Sequence, residues 1–135
     1  MTIGRISPET LPTPHGFAHA VVATGSKFIF ASGQCAVDID GNLIGDGPDY
    51  RAQAYAAAMN TYAAVSSAGG APADIVRLTL YVVEPAAENL DDLYAGLEAA
   101  AREARAKVTA MSLIGVTGLS VPGAVVELEA TAVVD

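Results

Sequence analysis

Between Thr109 and Val134 the chain spells two apolar strands around a short loop, and the second carries an acid among branched aliphatics. The segments Ala110 to Val116 and Ala124 to Val134 are rich in valine, isoleucine and leucine, with Pro122 between them. Such short apolar runs read as strands. Glu127 lies inside the second one, in Val125-Val126-Glu127-Leu128-Glu129-Ala130. Strand alternation puts Glu127 and Glu129 on the same face. A carboxylate in that setting must be exposed, hydrogen-bonded or functional, because a buried charge without partners is costly. From the residues alone, an exposed edge-strand glutamate and a functional one both stay open.

The remainder of the chain alternates strand and helix signals. Residues 1 to 16 hold Pro8, Pro12, Pro14 and Gly16 and read as an irregular arm. Ala18 to Ala23 and Lys27 to Ser32 read as strands joined by a Gly25-Ser26 turn, a β-hairpin signal. Asp38 to Pro48 is turn chemistry throughout. Asp49 is a good N-cap for a helix to about Ala68, with Ala52, Ala56, Met59 and Ala63 as its buried stripe and Gly69-Gly70 as its stop. Ile75 to Val83 is a strand closed by Pro85, and Asn89 to Ala106 is a helix with Leu90, Leu93, Leu97 and Ala101 on one face. The order β-β-α-β-α-β-β implies two helices on one face of a sheet, a two-layer α+β domain spanning 1–135. The other sheet face also carries many apolar side chains in this reading, and a second copy of the chain is the economical cover.

Composition narrows the function classes. With 135 residues, 52% of them hydrophobic, and a mean hydropathy of +0.39, the chain is expected to be one folded domain rather than disordered. No run approaches the length of a membrane span, and Met1 to Arg5 lacks the apolar core of a secretory signal. The single cysteine leaves no internal disulfide, so the cytoplasm is the default compartment. A net charge of -8 with only seven Lys and Arg disfavours nucleic acids and other polyanions. Arg102, Arg105 and Lys107 cluster at a helix end, where they complement the helix dipole.

Motifs for zinc, dinucleotides and P-loop phosphates are missing from the sequence. His15, His19 and Cys35 could bind zinc only with carboxylates added, so no metal is expected. Cys35 suits a small core residue or a nucleophile. At Ser32-Gly33, glycine would let a ligand approach the backbone, whose N–H could serve an anion; a β-bulge explains it equally well. His19 suits a capping or an acid–base role, and Tyr94 packing or catalysis.

Taken together, Gly16 to Val21, Phe28 to Gln34, Gln53, Asn60, Ala68-Gly69, Asp74 to Val76, Val82-Val83 and Val126 to Val133 resemble the reactive intermediate deaminase (RidA, or YjgF) family. The resemblance implies a chorismate-mutase-like α+β fold with two helices on one face of a mixed sheet. It also implies a homotrimer around a central barrel, with ligand clefts between neighbouring subunits. The family's deaminases hydrolyse enamines and imines to a keto acid and ammonia without metal or cofactor. A family arginine pairs with the substrate carboxylate, and a glutamate is thought to position the attacking water. By resemblance that glutamate falls on Glu127, and the strand-end Ser-Gly falls on Ser32 and Gly33. His19 lies in the matching arm segment and joins the cleft group. The arm tyrosine falls on Phe17, the arginine on Met111, a cysteine on Leu113, and a helix asparagine near Tyr94. The cleft so transferred is more apolar than the family's, which implies a ligand less acidic than a 2-imino acid. The alternative is a non-catalytic ligand-binding or protein-interaction module.

Overall fold

The computed structural model describes residues 1–45 and 47–135. Six strands and two long helices run in the order β1 (Thr2–Ile6), β2 (Ala20–Thr24), β3 (Lys27–Gln34), α1 (Tyr50–Ser67), β4 (Ile75–Val83), α2 (Ala87–Ala104), β5 (Ala110–Val116) and β6 (Val126–Val134). A four-stranded mixed sheet has the order β3-β6-β4-β5, with β4 and β5 parallel and the other pairs antiparallel. The two helices pack on one face of it, so the expected α+β layering is what the chain adopts. Of the turn region expected at 38 to 48, Asp46 lies outside the described residues.

Two expectations for the N-terminal third are corrected. The first residues of the expected arm form β1, which pairs with β2 from Thr2 opposite Thr24 to Ile6 opposite Ala20. The expected β2–β3 hairpin does not form; β3 pairs with β6 instead. Gly25 makes this possible, because a Cβ there would strike Val133 and the Val134 carbonyl. The adjacent Ser26 N–H donates to that carbonyl at 3.0 Å. The Gly25-Ser26 pair therefore steers the chain onto β6 rather than folding it back on β2. Arg5 ties the small sheet down by donating to the carbonyls of Val108 and Ala73.

The expected stripe of α1 is also corrected. Of Ala52, Ala56, Met59 and Ala63, only Ala56 is buried, and Ala63 is exposed. The buried set is Tyr50, Gln53, Ala54, Ala56, Ala57, Ala58, Thr61, Tyr62 and Val65, which wraps well around the helix. The helix contacts both the sheet and α2, so it has two inner faces. Alanine at most inner positions lets its neighbours come close. At the crossing with α2, a Cβ on Gly96 would collide with the Arg51 carbonyl, so glycine sets that approach. In α2 the stripe centres on Leu93, Gly96 and Ala100, flanked by the half-buried Leu90, Leu97 and Ala101. A fully buried leucine such as Leu80, Leu93 or Leu128 contributes about 1.5–3 kcal/mol.

The helix ends follow local chemistry. Asp49 caps α1 through its Oδ1, which accepts from the Ala52 N–H at 3.0 Å. Gly69, at φ +94°, ends the helix as only glycine does readily. The sheet face away from the helices differs from the expectation of an apolar surface. Its central strands present Arg77, Thr79, Tyr81, Glu127, Glu129 and Thr131. The apolar side chains sit at the two edges: Phe28 and Phe30 on β3, and Ile114 on β5.

Candidate functional site

Glu127 is the second residue of β6, between Val126 and Leu128, both of which point into the core. Its own side chain therefore emerges on the open face. Opposite it, β3 carries an irregularity between Ala31 and Gln34, so the expected bulge falls at Ser32-Gly33. Glycine admits the Glu127 carboxylate there, because a Cβ on Gly33 would overlap it and push the side chain aside. The carboxylate thus lies directly over the Gly33 backbone.

Beyond the bulge Gln34 pairs with Leu128, and continuing that register sets Cys35 across from Glu127. The thiol is only 6% exposed and is pushed up from an ordinary 9.0 to about 11. Burial is the largest cause, followed by the nearby negative charge of the Glu127 carboxylate. Cys35 is accordingly protonated and a poor nucleophile at neutral pH.

Two α1 amides, one partly buried and one fully buried, hold this corner rigid. Asn60 Nδ2 donates to the carbonyls of Cys35 and Val37, each at 2.9 Å. Gln53, fully buried, donates through Nε2 to the Gly123 carbonyl at 3.1 Å and accepts the Val125 N–H at 2.9 Å. These bonds tie α1 to the ends of β3 and β6 that frame Glu127. Gln53, Asn60 and Cys35 are supports that residue-by-residue reading did not assign to the site. The available signal was a polar amide on an otherwise alanine-lined helix.

The other candidates gather at a second locus. The arm docks on the start of β5, where the Ala18 N–H donates to the Thr109 carbonyl at 2.9 Å and Ala18 bridges Ala110. This brings Phe17 and His19 beside the strand that bears Met111. The Phe17 and His19 rings meet edge-on at 5.2 Å, and His19 Nε2 lies 2.7 Å from the Pro12 carbonyl. Thr109 is 6% exposed, and its hydroxyl has no hydrogen-bond partner among the described residues.

Register decides which candidates meet. Met111 pairs with Leu78 and Leu113 with Leu80, and both pack against the helix-side core. Glu127 pairs with Tyr81 on the opposite face. Within one chain, then, Ser32, Gly33, Cys35 and Glu127 form one group, and Phe17, His19, Met111 and Leu113 another, on different sides of the sheet. Tyr94 joins neither group; it is 44% exposed on α2, behind the sheet from Glu127. Among the described residues no three His, Cys, Asp or Glu side chains cluster as a metal site needs, and no helix is long and apolar enough to cross a membrane.

Comparison with known proteins agrees with this architecture. The family model described as endoribonuclease L-PSP matches residues 9–134. Among solved structures, the Yersinia pestis Rid-family protein YyfB is 37% identical, with 99% of this chain and 100% of that chain covered and a TM-score of 0.88. Escherichia coli YjgF is 30% identical over 96% of this chain and 98% of its own, with a TM-score of 0.69. Escherichia coli TdcF, solved with bound serine, is 25% identical over 98% and 99%, with a TM-score of 0.71. No curated protein matches. A family match over nearly the whole chain and the same fold in structures 30% or more identical lead to one conclusion: the chain belongs to the Rid/YjgF family.

Proposed function

We propose that this chain works as a homotrimer whose inter-subunit clefts take a small molecule less acidic than a 2-imino acid and hydrolyse an imine or enamine bond in it. The observation that carries the reading is the setting of Glu127. Its carboxylate is held over Gly33, lies near the buried Cys35 thiol, and keeps acceptor capacity for a water. In the proposed step that water attacks the imine carbon while Glu127 accepts its proton. That proton passes to the nitrogen to give a carbinolamine. Glu127 then takes the carbinolamine's hydroxyl proton and passes it to the same nitrogen, the C–N bond breaks, and a carbonyl compound and ammonia leave. No electrons are exchanged with an outside partner.

The opposite facing of the two residue groups supports a cleft shared between copies. Phe17, Met111 and Leu113 can serve the same ligand as Glu127 only from a neighbouring chain. The apolar edges, with Phe28 at 62% and Phe30 at 77% exposure, favour closure into a ring. The apolar residue at position 111 sets the ligand class. Lacking a desolvated partner for a carboxylate typically costs about 2–5 kcal/mol. Despite the name of the family model, a net charge of -8 disfavours RNA as substrate.

The test is ammonia release from a panel of neutral and acidic imines, with wild type beside Glu127→Gln, and light scattering on the same samples. We expect Glu127-dependent turnover of neutral imines, near-background rates on acidic ones, and a mass about three times 13.7 kDa. Ligand binding without ammonia release would instead identify a non-catalytic binding module. A monomer at micromolar concentration would remove the shared cleft.

A further inference from the structure

The open face of the sheet carries a second polar group that the reading above does not use. Arg77 and Thr79 on β4 stand opposite Thr131 and Glu129 on β6, so Arg77 and Glu129 are diagonal neighbours, about 7–8 Å apart at the backbone. Opposite charges this close would ordinarily pair, yet no ion pair joins them among the described residues. Each is drawn aside by another residue. Arg77 Nη2 donates to Ser112 Oγ on β5 at 2.7 Å, and Glu129 Oε1 accepts the Tyr81 hydroxyl at 2.6 Å.

A cavity of about 240 Å³ lies between them, lined by Arg77, Thr79, Glu129, Thr131, Phe30 and Ala31. At roughly 30 Å³ per water it has room for about eight waters, or for a small organic molecule. Both charged groups keep bonding capacity. The guanidinium retains the edge not used by Ser112, and Glu129 retains its second oxygen. A cation and an anion lining one small cavity without pairing match a small ligand carrying both opposite charges.

We propose that this cavity is a binding site for a small zwitterion, with Arg77 taking the carboxylate and Glu129 the ammonium group. Thr79 and Thr131 complete its polar lining, and Phe30 and Ala31 add an apolar side. A ligand with only one of the charges leaves the other protein charge without its partner and pays for desolvating it, so the site selects for both together. In a ring of copies the open faces turn inward, and one such site per chain would line the shared interior. The proposal stands independently of imine hydrolysis.

The experiment is calorimetric titration of the full-length protein with glycine, acetate and methylamine, repeated on Arg77→Met, Glu129→Gln and Glu127→Gln. Both Arg77 and the Glu129 position are solvent-accessible, so neither replacement disturbs the core. Glycine should bind wild type, and acetate and methylamine should bind at least about tenfold more weakly. Arg77→Met and Glu129→Gln should each weaken glycine by about tenfold or more, while Glu127→Gln changes it by less than about twofold. No glycine binding, or acetate binding as well as glycine, would overturn the proposal. Loss of glycine binding in Glu127→Gln alone would also overturn it, by assigning the zwitterion to the Glu127 cleft. Failure of the imine assay with these binding results intact would count against the hydrolytic reading only.

Discussion

Replacing Glu127 with glutamine tests the most specific contact in the candidate site, because the effect should be visible on Cys35. The thiol is held at about 11 instead of 9.0, first by burial and then by the nearby charge of Glu127. At pH 9 such a shift turns a half-ionised thiol into one that is about 1% ionised. Glutamine has nearly the same shape but no charge, so it removes the electrostatic cause and leaves the burial. Removing a negative charge favours the thiolate, and the pKa should fall. It should stay above 9.0, because the largest cause remains. The folded-state value lies above the ordinary one. The thiol's contribution to stability is therefore complete below about pH 9 and is lost as pH rises through about 11 in wild type, and earlier in Glu127→Gln. The assay is a pH titration followed by the carbon chemical shift of labelled cysteine. Cys35 is the only cysteine in the chain, so the signal has one source. Equal midpoints in the two proteins would mean that the thiol and the carboxylate do not touch. A higher midpoint in the variant would reverse the electrostatic argument altogether.

The remaining predictions probe the supports around that contact. Gly33→Ala should push the Glu127 carboxylate off the β3 backbone, lowering stability by about 1–3 kcal/mol and reducing any Glu127-dependent hydrolysis; denaturant melts and the ammonia assay read the two effects. Gln53→Ala should cost about 2–4 kcal/mol, since it leaves the Gly123 carbonyl and the Val125 N–H without their partner; a shifted urea midpoint with an unchanged slope is the expected signature. Met111→Arg puts a charge where a side chain now packs against the core, so the variant should melt lower when empty. It should recover with added pyruvate, and calorimetry should find pyruvate binding that wild type lacks.

Strand and helix positions were legible wherever the sequence carried contrast. Ile75 to Val83 and Ala110 to Val116 are strands at the bounds read from their β-branched runs, and Asp49 caps the helix it was expected to cap. Contrast was missing in α1, where alanine on every side gives no periodic stripe and tertiary contact chooses the buried positions. It was misleading at Gly25-Ser26. Local turn chemistry indicates a reversal but cannot reveal that β6 competes with β2 as the partner of β3. At the site, Glu127 stood out as an acid in an apolar strand. Its contact with Cys35 was not readable, because it depends on a bulge and a pairing register between distant segments.

By itself, then, the sequence determined the element types from β2 onward, the two-layer class and the family, because those follow from local propensity, hydrophobic patterning and motif order; β1 was the exception. Tertiary structure alone decided the strand order β3-β6-β4-β5, the parallel pairing of β4 with β5, and hence which side chains share a face. That last decision sends Met111 and Leu113 to the helix side and Glu127 to the open side. The physical reason is that facing in a sheet has a period of two, so each side chain's neighbours are set by long-range register and not by the residues next to it in the chain.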